Sequence, residues 1–91
     1  MPNRNKTKRE RPPRPRNITG KRIKEIRRSL KPKVSQDDLS GRVAAVGVTL
    51  TRTQIAKVES GRRPIADYEL FAIAKALRVS VETLFPVRVR R

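Results

Sequence analysis

Residues 35–61 read SQDDLSGRVAAVGVTLTRTQIAKVESG, two helix starts of one design separated by a glycine-containing turn. Each start has a hydroxyl residue, Ser35 or Thr51, whose oxygen suits the N-cap, where the first backbone N–H groups lack partners. Three positions on, Asp38 or Gln54 is placed to reach back to the cap's own N–H. An apolar residue precedes each cap, Val34 or Leu50, and packs on one five positions later, Leu39 or Ile55. Leu39, Val43 and Val46 then recur at helical spacing, as do Ile55 and Val58. Gly47 can take the left-handed conformation that ends a helix. Two short helices joined this way form a candidate helix-turn-helix.

The pattern extends in both directions. Ile18-Thr19 with Ile23 opens a helix that carries Ile23, Ile26 and Leu30, and Val79-Ser80 with Leu84 opens a short last one. Leu70, Ile73, Ala74 and Leu77 mark a fourth helix, where Ile65, Leu70 and Glu69 fit the start rule but Ala66 occupies the cap and Asp67 follows it. Five helices are predicted, at about 20–30, 36–46, 52–60, 67–77 and 81–85. Phe71 and Phe85 read as core, Tyr68 being the third aromatic. Strand signals are nearly absent, so the fold class is all-α.

Outside residues 18–85 the composition changes. Residues 1–17 hold seven cations (Arg4, Lys6, Lys8, Arg9, Arg11, Arg14 and Arg16), one acid (Glu10) and four prolines. With no large apolar residue after Met1, this segment has nothing to bury against its ordering entropy and reads as a disordered basic arm. Residues 86–91 form a second basic tail. The whole chain of 91 residues has 24 Lys and Arg against 8 acids, a formal charge of +16, which points to a polyanionic partner.

Composition also excludes. With no Cys or His, the chain has no thiolate or imidazole for zinc, disulfides or nucleophilic and general-base chemistry. Its acids are scattered, without a phosphate-binding loop or nucleophile elbow, so no enzyme, metal or cofactor is expected. The longest apolar stretch, Val43 to Leu50, has eight residues where a membrane helix needs roughly 20. A basic, proline-rich start without an apolar run suggests no signal peptide, and a cytoplasmic location is expected. Few stacking aromatics argue against a single-strand binder.

Five pieces, in order, carry a family resemblance: Arg22-Ile-Lys-Glu-Ile-Arg27, Ser35-Gln-Asp-Asp-Leu39, Thr51-Arg-Thr-Gln-Ile-Ala-Lys-Val-Glu-Ser-Gly61, Leu70-Phe-Ala-Ile-Ala-Lys-Ala-Leu77 and Val79-Ser-Val-Glu-Thr-Leu-Phe85. Together they resemble the Cro/lambda-repressor-type (XRE-like) DNA-binding domain. The resemblance implies a compact five-helix lambda-repressor-like bundle whose third helix reads the major groove. Three features depart from the family pattern: a longer turn at Gly47-Val-Thr-Leu-Thr51, the connection Leu30-Lys-Pro-Lys-Val34, and Arg78 where Gly or Asn is usual.

Under this resemblance Arg52, Thr53, Gln54 and Lys57 face base edges, and their chemistry suits guanine, a thymine methyl and adenine. Gln36, Thr51, Ser60, Arg62 and Arg63 are candidate phosphate contacts. Arg27 and Glu59 match an internal ion pair that orients the third helix. Arg11, Arg14 and Arg16 are candidates for an arm in the minor groove. The resemblance implies double-stranded DNA as partner, a homodimer with contacts in the fifth helix near Val81 and Phe85 or in the tail, and a prokaryotic or phage transcriptional regulator acting at the nucleoid. Two other readings compete: an antitoxin-like module with a protein partner, and a non-specific basic binder of RNA or DNA.

Overall fold

The computed structural model describes residues 14–86. Four α-helices follow one another, α1 (Gly20–Ser29), α2 (Gln36–Ala45), α3 (Arg52–Glu59) and α4 (Asp67–Leu77), and the described residues contain no strand. The expected fifth helix is instead a single 3-10 turn over Val81–Leu84. Ser80 does not cap it, because its hydroxyl pairs with Thr83 Oγ1 at 2.8 Å. Pro86, whose ring disfavours helical backbone at the residue before it, follows at once.

The two central starts form as their sequences dictate. Asp38 N–H donates to Ser35 Oγ (2.9 Å), and Ser35 N–H donates back to Asp38 Oδ2 (3.0 Å). Gln54 N–H donates to Thr51 Oγ1 (3.1 Å), and Thr51 N–H donates to Gln54 Oε1 (2.9 Å). The ionised Asp38 carboxylate accepts the bond from Ser35 N–H, and this bond, with the Ser35 hydroxyl beside it, holds the carboxyl below its ordinary value. Helix ends are equally regular. Residues Gly47 (φ 100°), Gly61 (φ 80°) and Arg78 (φ 60°) are left-handed, and the N–H of the next residue closes back five positions in each case. For Arg78 this conformation places a β-carbon where glycine has none.

The start of α1 differs from expectation. Thr19 has helical backbone, makes no cap and buries an Oγ1 that has no partner among the described residues. Asn17 caps instead: its Oδ1 accepts from Thr19 N–H (3.1 Å) and Gly20 N–H (2.6 Å). Its Nδ2 donates to the carbonyls of Val58 (3.0 Å) and Arg63 (2.8 Å). Arg16 N–H also donates to Gly61 O at 2.7 Å. Pro15, Arg16 and Asn17, from the expected disordered arm, lie against the end of α3, whereas residues 1–13 of that arm and residues 87–91 lie outside the described residues.

Helices α1 to α4 and the 3-10 turn close over Ile23, Leu39, Val43, Leu50, Ile55, Ile73, Leu77 and Leu84, each at most 1% exposed. Burial of such a side chain contributes roughly 1.5–3 kcal/mol against solvent exposure. The long turn between α2 and α3 is anchored in this core by Leu50, whose carbonyl accepts from Ser40 Oγ at 2.6 Å. Phe71 and Phe85, expected in the core, are 53% and 36% exposed, because helix period turns Phe71 outward beside Tyr68 and Phe85 lies past the last turn. Val46, expected in the α2 stripe, is the C-cap residue and is also exposed.

At α4 the cap is half complete. Ala66 N–H donates to Glu69 Oε1 (3.0 Å), but Ala66 has no side-chain oxygen to accept from Glu69 N–H. Its backbone (φ −80°, ψ 156°) nearly repeats that of Ser35 (−75°, 171°) and Thr51 (−73°, 163°). Serine at position 66 therefore completes the box. Ala66→Ser is expected to stabilise the domain by about 0.5–2 kcal/mol, read as a raised midpoint in thermal or urea unfolding.

Candidate nucleic-acid interface

Helix α3 has only eight residues, too few to persist alone, and its placement comes from contacts at its C-terminal end. The guanidinium of Arg27 on α1 meets the Glu59 carboxylate through two bonds, Nε to Oε2 (2.7 Å) and Nη2 to Oε1 (2.9 Å). Its third nitrogen, Nη1, donates to Val34 O at 2.8 Å. Gln36 Nε2 donates to Glu59 Oε1 at 3.0 Å. Both charged side chains are under 10% exposed, so water does little for either, and each satisfies the other. Beside this pair, α1 and α3 meet backbone to backbone. A β-carbon at Gly20 would collide with the Val58 carbonyl.

The opposite half of α3 faces outward. Arg52, Thr53 and Lys57 are exposed. Gln54 is half-buried, and its Oε1 is engaged by Thr51 N–H, so a bidentate pairing with adenine through that oxygen competes with the cap. Thr51 itself spends its hydroxyl as the cap.

The phosphate candidates divide. Ser60 is exposed, with its hydroxyl donating to Lys57 O (3.1 Å), and Arg62 is exposed. Gln36 turns inward to Glu59. Arg63 binds Glu69 through Nη1 to Oε1 (3.0 Å) and Nη2 to Oε2 (3.1 Å), an ion pair that the spacing of the sequence does not announce. Arg14 and Arg16 are exposed, Arg16 being bonded at Gly61, and Arg11 lies outside the described residues.

A row of cations on α1 joins these candidates, although the sequence pattern alone does not single it out. Lys21, Lys24 and Arg28 are exposed at spacings of three and four, one face of a helix. Lys21 shares a cleft with Ser60 and Gly61 at the end of α3. Lys24 and Arg28 share the next one with Glu59, and Arg28 borders a third with Gln36 and Arg52. The row therefore flanks α3 from one end to the other. Its spacing is present in the sequence, but the face it occupies depends on how α1 packs.

Both ion pairs have measurable consequences. Arg27→Ala strands the Glu59 charge and is expected to cost about 3–5 kcal/mol of stability, measured by chemical unfolding. The hydrogen bonds from Arg63 and then from Ala66 N–H hold the Glu69 carboxyl below its ordinary value of 4.5, and the Glu69 carboxylate in turn raises Arg63 above its own. A folded-state value below the unfolded one gives stability that is complete above pH 4.5 and is lost as pH falls through the folded value. Glu69→Gln should therefore flatten the acid limb of a stability–pH curve.

Among the described residues no helix is long and apolar enough to cross a membrane. Comparison with curated proteins and with solved structures returns no significant match. A family model described as helix-turn-helix matches residues 23–84, which takes in α1 through the 3-10 turn. That family supports a DNA-binding regulator. By this match over more than half its length, the chain belongs to the helix-turn-helix family of the XRE, or Cro/lambda-repressor, type.

Proposed function

We propose that this chain is a sequence-specific regulator of transcription that reads double-stranded DNA with α3 in the major groove. The observation that carries the proposal is the division of α3. Its buried side and C-terminal end are tied to the domain, while Arg52, Thr53 and Lys57 project from the exposed side. Arg52 suits guanine O6 and N7, and Thr53 suits a thymine methyl. Gln54 reads a base through its free amide group or after its cap opens.

Lys21, Lys24, Arg28, Ser60 and Arg62 line the flank of α3 as phosphate contacts. Lys21 and Arg28 stand seven positions apart on α1, about 10 Å of helical rise, enough to reach more than one phosphate of a strand. Gln36 and Arg63, held by carboxylates, act as supports of this surface. The arm residues Arg11, Arg14 and Arg16 serve a neighbouring minor groove in this proposal, which the bond from Arg16 N–H to Gly61 O at the end of α3 supports. A single recognition helix reads few base pairs, so the chain works as a homodimer on a two-fold site.

The test is selection from random duplexes at two salt concentrations with the full chain. A two-fold motif is expected to emerge. Arg52→Ala should lose about ten- to a hundredfold for that motif and relax one position in it. The triple change Lys21→Gln, Lys24→Gln and Arg28→Gln should weaken all duplexes alike and lower the salt slope by about 0.9 for each phosphate no longer neutralised. Salt-dependent binding that enriches no motif would replace this reading with a non-specific one.

A further inference from the structure

We propose that the cleft between the C-terminal ends of α2 and α4 docks an acidic, amphipathic segment of a partner protein. No residue of α3 lines this cleft, so it is a second surface, separate from the one proposed for DNA. Leu30, Val46 and Val79 give it an apolar floor, and Lys31, Arg42, Lys75 and Arg78 surround that floor. Beyond Lys75 and Arg78 it continues into a groove lined by Phe71 and Val81.

Two properties set this surface apart. First, Val46, Phe71 and Val81 are 38%, 53% and 36% exposed, so half of the large apolar residues that the described fold leaves in water lie along it. Clustered exposed apolar area marks an interaction site where scattered residues do not. Second, its lining contains no carboxylate, whereas the clefts along α1 and α3 each contain Asp37, Glu25 or Glu59. The cations are held in place: Arg42 Nη1 donates to Ala76 O at 3.2 Å, and Lys75 Nζ sits 5.6 Å from the centre of the Phe71 ring. Arg78 ends α4 in a left-handed conformation that suits glycine better, and it brings to the cleft a guanidinium that glycine lacks.

Complementarity selects the occupant. Nucleic-acid backbone answers the cations but leaves the apolar floor uncovered. A second copy of the chain, set there by two-fold symmetry, brings like charges together across the contact. A segment with Leu, Ile or Phe on one side and Asp or Glu on the other satisfies both parts of the surface.

Random peptides displayed on phage, selected on the full chain at physiological salt, test this directly. Enriched peptides should combine Asp or Glu with large apolar residues. As synthetic peptides they should bind Arg42→Glu/Lys75→Glu at least about tenfold more weakly, and Val46→Ser several-fold more weakly. Arg52→Glu/Lys57→Glu on α3 should bind them within about twofold of the parent, after allowance for the changed net charge. Circular dichroism confirms that each variant folds, and the cleft variants should still enrich the parent's duplex motif, if the parent has one. Enrichment of acids without apolar residues, or equal losses at both surfaces, would mean attraction by charge alone and overturn the proposal. So would failure to enrich any peptide, or a dimer in sedimentation that Val46→Ser dissociates, which would make a second copy the occupant.

Discussion

A buried arginine whose fork is filled on every side determines where α3 lies. Arg27 holds Glu59 with two nitrogens and the Val34 carbonyl with the third, and Gln36 adds a bond to the same carboxylate. Four segments meet there: α1, the connection after it, the start of α2 and the end of α3. Neither charge can be withdrawn without leaving the other unsolvated, so the four segments hold one arrangement. The Gly20 contact with Val58 and the Asn17 bonds to Val58 and Arg63 repeat the connection with backbone groups.

The same constraint explains the electrostatics. A chain with three times as many cations as acids cannot pair them all, and four of its eight acids are committed to structure. Glu59 serves a buried arginine pair and Glu69 a partly buried one, Asp38 a helix cap, and Glu25 a bridge to Arg22 at 3.3 Å. What remains outside is mostly positive, and it meets two kinds of surface. Beside α3 the cations share their clefts with Asp37, Glu25 or Glu59, and between α2 and α4 they surround Leu30, Val46 and Val79 with no carboxylate in the lining. Net charge alone makes no such distinction; the neighbours of each cation do.

How much of this is legible in the sequence depends on sequence distance. The caps at Ser35 and Thr51 involve residues three apart, and the glycine endings are local, so helices α2 and α3 are legible almost to the residue. Asn17 is not, because its partners stand 41 and 46 positions away and an asparagine among prolines and arginines looks like linker. Thr19 satisfies the local cap rule and loses to that distant clamp. The Arg63 bond to Glu69 crosses only six residues, yet it passes through a turn with no periodicity to reveal it. Phe71 and Phe85 are misplaced by the expectation that large aromatic residues bury, and here burial falls to the smaller neighbours Ala72, Ile73, Ala74 and Leu84. The base-facing candidates are legible as a helix face, but Gln36 and Gln54 carry bonds to Glu59 and Thr51 that only the packed fold reveals.

The uneven anchoring of α3 bears on how such a protein diversifies. Ile55, Val58 and Glu59 supply its packing, with Thr51 as cap, and none of these depends on the identity of residues 52, 53 or 57. Those three positions can exchange side chains while the fold keeps every contact that orients the helix. Gln54 is the exception, since replacing it removes half of a cap. Under the proposed reading of DNA by α3, descendants of this sequence have three positions at which to explore new targets at little structural penalty, and a fourth at which novelty and stability are traded against each other.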